Sequence, residues 1–129
     1  MNWQAASLAM AGLIGGGTAV IHGVLTQRLM VRPIEALMAS DRRISGPVRR
    51  LIPMLMHFST IAWLLGGVAL IAAAGWFGPQ ARLVTGLGVG GLYLYGALGN
   101  FWGTRGRHPG WMLMAAALVL IGVGVTSPT

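Results

Sequence analysis

Cysteine and lysine are absent from this chain, and acidic residues number two, Glu35 and Asp41. Without cysteine there are no disulfides, no thiolate metal sites and no thiol chemistry, and cysteine usage gives no sign of the redox compartment. Two carboxylates, both outside the apolar stretches, supply no pair for general acid–base work and no intramembrane acid to carry protons or couple ions. No activated-serine motif occurs. The glycines of the first and third apolar runs imitate GxGxxG only loosely and lack the strand–turn–helix setting that motif requires. The expectation is therefore a protein that is not an enzyme. Charged residues of all kinds make up 9% of the chain. A soluble domain carries about 25%, so there is too little charge here to solvate a globular surface.

What is present is hydrophobic: 55% of 129 residues, with 21 glycines, a residue more frequent in membrane helices than in soluble ones. Four apolar runs cover about 3–26, 51–75, 83–103 and 111–125, with no Asp, Glu, Lys or Arg in their interiors. A membrane-spanning helix needs about 20 apolar residues at 1.5 Å rise each. The first three runs meet this. The fourth is short, roughly 22 Å by the same rise, and a start nearer His108 would lengthen it. The expected fold is an all-α bundle of four transmembrane helices forming a single integral membrane domain over residues 1–129. No basic residue precedes the first run, so it lacks the positive region of a secretory signal and reads as a retained helix.

Every basic side chain other than histidine is arginine, and the arginines set an orientation. Arg28, Arg32, Arg42, Arg43, Arg49 and Arg50 lie between runs one and two, Arg105 and Arg107 between three and four, and Arg82 alone between two and three. Eight against one places the first group in the cytoplasm by the positive-inside rule, puts both termini on the other side, and argues against dual insertion. The net charge of +7 would suggest nucleic acid in a soluble protein, but here topology accounts for it. The expected partners are the lipid bilayer and either other membrane subunits or further copies of the chain, not nucleic acid. Within the first arginine-rich loop, Met30, Ile34, Leu37 and Met38 fall at helical spacing while Arg32, Glu35 and Ser40 point elsewhere, which predicts a short amphipathic helix in the interface. Ser40-Asp41 and Gly46-Pro47 read as turns.

Lipid is as apolar as leucine, so membrane helices associate through small residues that let backbones approach. Run one carries Ala11, Gly15, Ala19 and Gly23 at spacings of four, together with Gly12 and Gly16; run three carries Gly86 and Gly90, then Gly99 and Gly103. Such faces serve packing within one bundle or dimerisation, and the first use is expected here. Trp3, Trp76, Trp102 and Trp111 fall near span boundaries, as aromatic-belt residues do. Trp63 lies mid-span, in the core or facing lipid.

Three histidines, far apart in sequence, share one level. His22 lies about one turn from the cytoplasmic end of run one, His57 nearly two turns inside run two, and His108 at the start of run four. Thr26, Gln27, Ser59 and Asn100 fall at the same level. Intramembrane polar groups face the interior and pair with one another. Two readings follow. In the first, His22, His57 and His108 hold a cofactor: haem b, ligated axially by His22 and His57, or a transition metal such as Zn or Cu bound by all three. In the second they are structural: His22 and His57 hydrogen-bond their neighbours, and His108 caps run four ahead of Pro109. The arginines near this level, Arg28, Arg49, Arg105 and Arg107, are candidates for haem propionates or for lipid and anion binding in the inner leaflet; the alternative is simple topology determination.

The segment Gly103-Thr104-Arg105-Gly106-Arg107-His108-Pro109-Gly110-Trp111, with a histidine late in helix one and another early in helix two, resembles small bacterial four-helix membrane proteins of unassigned function. Where those proteins often place tryptophan before the helix-two histidine, this chain has Met56. The resemblance implies architecture and a bacterial inner membrane and carries no activity. The expected role is a non-catalytic accessory, assembly or interaction subunit, with a histidine-ligated cofactor protein and an inner-leaflet lipid or small-molecule binder as alternatives.

Overall fold

The chain enters its first helix at Asn2, whose side-chain Oδ1 accepts from the backbone N–H groups of Gln4 (3.1 Å) and Ala5 (3.4 Å). This satisfies two of the donors that a helix start leaves free. The structure, a computed structural model, describes residues 2–126, and among these it is all-α, with four helices and no strand. Helix α1 runs Trp3–Ser40, α2 Gly46–Trp76, α3 Pro79–Thr104 and α4 Gly110–Val125. Helices α1 and α2 are long and apolar enough to cross a membrane. Helix α3 is long, but its glycines, tyrosines and Asn100 dilute its apolar character, and α4 is apolar but only 16 residues long. Around the bundle the order is α1, α2, α3, α4, each packing on the next and α4 closing on α1.

Two of the first boundaries differ from the sequence-based expectation. Helix α1 does not stop at Thr26 to resume as a separate interfacial helix. It continues through a π turn at Gln27–Val31 into Arg32–Ser40, with the Arg32 N–H bonded to the Gln27 carbonyl five residues back. The cause is local. Pro33 has no N–H and its ring crowds the preceding turn, and a π turn just before it shifts the bonding register. The stripe that packs is Val31 and Met38, at 2% and 4% exposure, whereas Met30 and Leu37 stand outside. Helix α2 starts at Gly46 rather than near Leu51, because Pro47 sits in its first turn, where a missing N–H costs nothing, and arginines are good helix formers. It carries Pro53 in its interior and its regular turn is interrupted at His57. Both long helices thus project beyond α3 and α4 at the end that carries eight of the nine arginines, and there they pack against each other.

The helices are held at short range by glycines. A Cβ on Gly12 would lie 2.5 Å from the Gly67 carbonyl oxygen, and one on Gly67 would lie 2.7 Å from that of Gly12, so α1 and α2 touch backbone to backbone. Gly15 leaves room for the ring of Tyr93, which crosses from α3, is 0% exposed and donates its hydroxyl to the Trp63 carbonyl at 3.3 Å. Gly96 leaves room for the Trp63 indole, and Gly86 and Gly124 for Val125 and Leu8. The small-residue face of α1 therefore serves packing within the bundle, while Gly99 and Gly103 have open space beside them. At the opposite end Arg82 donates from Nε to the Ala73 carbonyl (3.0 Å) and from Nη2 to that of Ala74 (2.9 Å), closing the end of α2. The outward faces are apolar on all four helices, with Leu13, Leu65, Leu87 and Val119 exposed. Trp3 and Trp76 stand outward at one end and Trp102 at the other.

Substituting Gly67 by Val should lower resistance to thermal or SDS unfolding by about 1–3 kcal/mol or more, the usual cost of overpacking, because the opposing atoms are backbone. Gly88→Val, with nothing within 4 Å, should leave the transition unchanged. Equal effects at the two positions would contradict this packing.

Candidate functional site

At the arginine-rich end, α3 and α4 are joined by a tight turn that is built residue by residue. Helix α3 ends with Arg105 (φ 51°) and Gly106 (φ 73°), both left-handed, and the Gly106 N–H returns to the Phe101 carbonyl at 2.8 Å. This is the glycine-assisted end that satisfies the last helical carbonyls. Trp111 Nε1 donates to the Gly106 carbonyl (3.2 Å), and its indole meets Phe101 edge to face at 5.2 Å. The Thr104 hydroxyl donates to the Asn100 carbonyl (2.6 Å) and accepts from the His108 N–H (3.3 Å). His108 Nδ1 in turn accepts from the Gly110 N–H at 3.1 Å, capping α4. The Gly-Thr-Arg-Gly-Arg-His-Pro-Gly-Trp segment is thus a self-bonded turn, and its bonds fix the ring of His108.

Because α4 begins only at Gly110, a cavity opens between α1, α3 and α4 at this level. It measures about 140 Å³. His22, Asn100 and His108 line it with polar groups, together with Thr18, whose hydroxyl is spent on the Ile14 carbonyl, and Ile21, Trp63 and Leu113 supply apolar wall. A groove of about 200 Å³ shares the same three polar residues and continues along Leu25, Leu29 and Met30. His22 is set from behind: its Nε2 lies 3.2 Å from Ser59 Oγ on α2, and its ring is 4.6 Å from that of Trp63. Asn100 is anchored by Nδ2 donating to the Gly96 carbonyl at 2.8 Å.

The three histidines do not form one ligand set. His57 Nε2 pairs with Gln27 Oε1 at 2.8 Å, joining the interruption of α2 to the π turn of α1, and His57 lines neither the cavity nor the groove. Among the described residues no group of three or more His, Cys, Asp or Glu side chains is gathered as metal ligands. Among the described residues each histidine ring has a different partner, and only His22 and His108 share a space. For axial haem ligation, His22 and His57 would both have to turn Nε2 from the partners it now holds. Of the arginine candidates, Arg28, Arg105 and Arg107 are exposed and line neither space. Arg49 is half-buried, donating from Nη2 to the Asp41 carbonyl at 2.7 Å while its Nε is buried without a partner. Trp63 is the site residue that spacing did not single out. Its neighbour across the bundle, Gly96, is the sequence signal, since a large aromatic mid-span needs a gap opposite.

Comparison with known proteins adds no kinship: no family model matches the chain, and neither a curated protein nor a solved structure matches it.

The turn can be tested without touching the cavity. Gly106→Ala should destabilise the protein by about 1–2 kcal/mol, the cost of a left-handed residue with a Cβ. Arg105→Gly should be neutral or stabilising, because it relieves the same cost one position earlier. Thermal unfolding of the two variants in one detergent checks both signs.

Proposed function

We propose that the chain is a four-span protein of the bacterial inner membrane, with the arginine-rich end in the cytoplasm and both termini outside. In this reading it is a non-catalytic accessory subunit that holds a small amphipathic ligand drawn from the inner leaflet. The observation that carries it is the cavity in which His22 of α1, Asn100 of α3 and His108 of the α3–α4 turn converge and which shares that polar wall with an apolar groove. Binding sites for small molecules are concave and mostly apolar, with a few placed polar groups, and the space between helices of a bundle is a usual location. Membrane embedding is supported by the apolar outward faces on all four helices, which would be a liability in water.

The orientation is supported by what each arginine does. Arg82, the one basic residue of the opposite end, is committed to helix carbonyls, whereas Arg28, Arg32, Arg42, Arg43, Arg50, Arg105 and Arg107 are exposed at the other. Retention of cationic segments in the cytoplasm therefore meets no counterweight. The cysteine-free chain gives a clean background for labelling. A single cysteine at Arg43 should react with a membrane-impermeant maleimide only after the cells are permeabilised, and one at Gly78 should react in intact cells. The reverse pattern would overturn the topology.

Ligand retention is the test of function. Native mass spectrometry of gently purified protein should show a bound mass of amphiphile size, lost when Leu113→Trp fills the cavity and kept when Leu87→Trp adds the same bulk on an outward face. A wild-type protein that carries no bound mass from its native membrane would defeat the reading.

A further inference from the structure

The chemistry of the cavity wall narrows the ligand, given the reading of this cavity as a binding site. His108 Nδ1 accepts the Gly110 N–H. A neutral imidazole has one N–H and one lone pair, so a ring whose Nδ1 accepts must carry its proton on Nε2. His108 therefore presents a donor, and nothing in the protein takes it up among the hydrogen bonds of the described residues. That tautomer is wrong for a metal, which needs a lone pair, and right for an acceptor oxygen. Asn100 Nδ2 gives one hydrogen to Gly96 and keeps a second.

Charge narrows it further. None of the nine arginines lines the cavity or the groove, so a carboxylate or phosphate placed there would be an anion without a counter-charge, at high desolvation cost. The acceptor that fits is a neutral carbonyl. Size and shape agree: about 140 Å³ is close to the roughly 150 Å³ that accommodates a benzene ring in a protein core. One wall is the Trp63 indole, with the His22 ring against it. The groove along Leu25, Leu29 and Met30 offers an aliphatic chain a path away from the polar wall. We infer that the cavity takes the carbonyl ring of a membrane-dissolved quinone, with His108 Nε2–H bonded to one ring oxygen, Trp63 beside the ring face, and the tail in the groove.

The test uses the full chain in detergent, with Trp3, Trp76 and Trp102 replaced by phenylalanine; Trp111, which bonds the turn, is kept, and its emission is subtracted with the Trp63→Phe version of the same protein. The probe is a decyl-substituted benzoquinone, read by quenching of Trp63 emission. Saturable quenching is expected, unaffected by excess laurate. It should weaken about tenfold in His108→Ala, the loss of one hydrogen bond to the ligand, and recover in part in His108→Gln, whose amide restores a donor. Should His108→Ala lose its helical circular dichroism, Leu113→Phe, which narrows the cavity without touching the turn, takes its place with the same expected loss. Quenching that rises without saturation, or that is equal in wild type and variants, would overturn the quinone assignment. If native mass spectrometry still finds another amphiphile bound and displaced by Leu113→Trp, the binding site stands and only the ligand class fails. If it finds none, both fall.

Discussion

Tyr93 is the point on which the bundle turns. It is the largest fully buried side chain, and it can cross to α1 only because Gly15 has no Cβ to meet it. Its hydroxyl needs an acceptor in a dry core and takes the Trp63 carbonyl. That bond and the adjoining contact of Gly12 with Gly67 fix how α1, α2 and α3 are rotated against each other. Rotation decides everything at the next level toward the arginine-rich end. It places the Trp63 indole against Gly96, the Trp63 ring against His22, and His22 within reach of Ser59. The core of this protein is a set of large residues seated in glycine gaps, a mode of packing that lets helix backbones approach closely.

Beyond that level regular helix gives way. The π turn at Gln27–Val31 and the interruption at His57 lie across from each other, and the Gln27–His57 hydrogen bond ties them together. Each irregularity precedes or follows a proline inside a helix, Pro33 in α1 and Pro53 in α2. Such turns leave polar groups in need of partners. His57 answers that need through its bond to Gln27. His22 and His108 differ from it in facing shared open space.

Much of the frame was legible in the sequence. The four apolar runs became the four helices, the first starting at Trp3 as read and the third and fourth within a few residues, and the stripe of Ala11, Gly15 and Ala19 packed inward. The short amphipathic helix read around Met30 to Met38 is present as Arg32–Ser40, but it continues α1 instead of standing apart, because charge marks where a span ends, not where a helix ends. Arginine favours helix, and Pro33, the one breaker before Ser40-Asp41, is absorbed by the π turn ahead of it. For the site, the common level of the three histidines was legible by counting residues. Which of them meet was not, because that depends on helix rotation, which Tyr93 and the glycines set across the bundle.

The short fourth helix connects these levels. A helix of 16 residues rises roughly 24 Å, less than the roughly 30 Å of a bilayer core, and a bundle with one short member must fill or leave the space beyond its end. Here the turn from Thr104 to Gly110 partly fills it and leaves the rest as the cavity. The turn is stiff, held by the Gly106, Thr104 and Trp111 bonds, so the cavity is set by bonded backbone rather than by loose side chains. Stiffness also settles the chemistry. With Nδ1 held by Gly110, His108 cannot offer its other nitrogen as a lone pair without taking up a charge or breaking the cap. A histidine that reads as a metal ligand by residue type is turned by one backbone N–H into a hydrogen-bond donor, and an acceptor oxygen is the partner proposed for it.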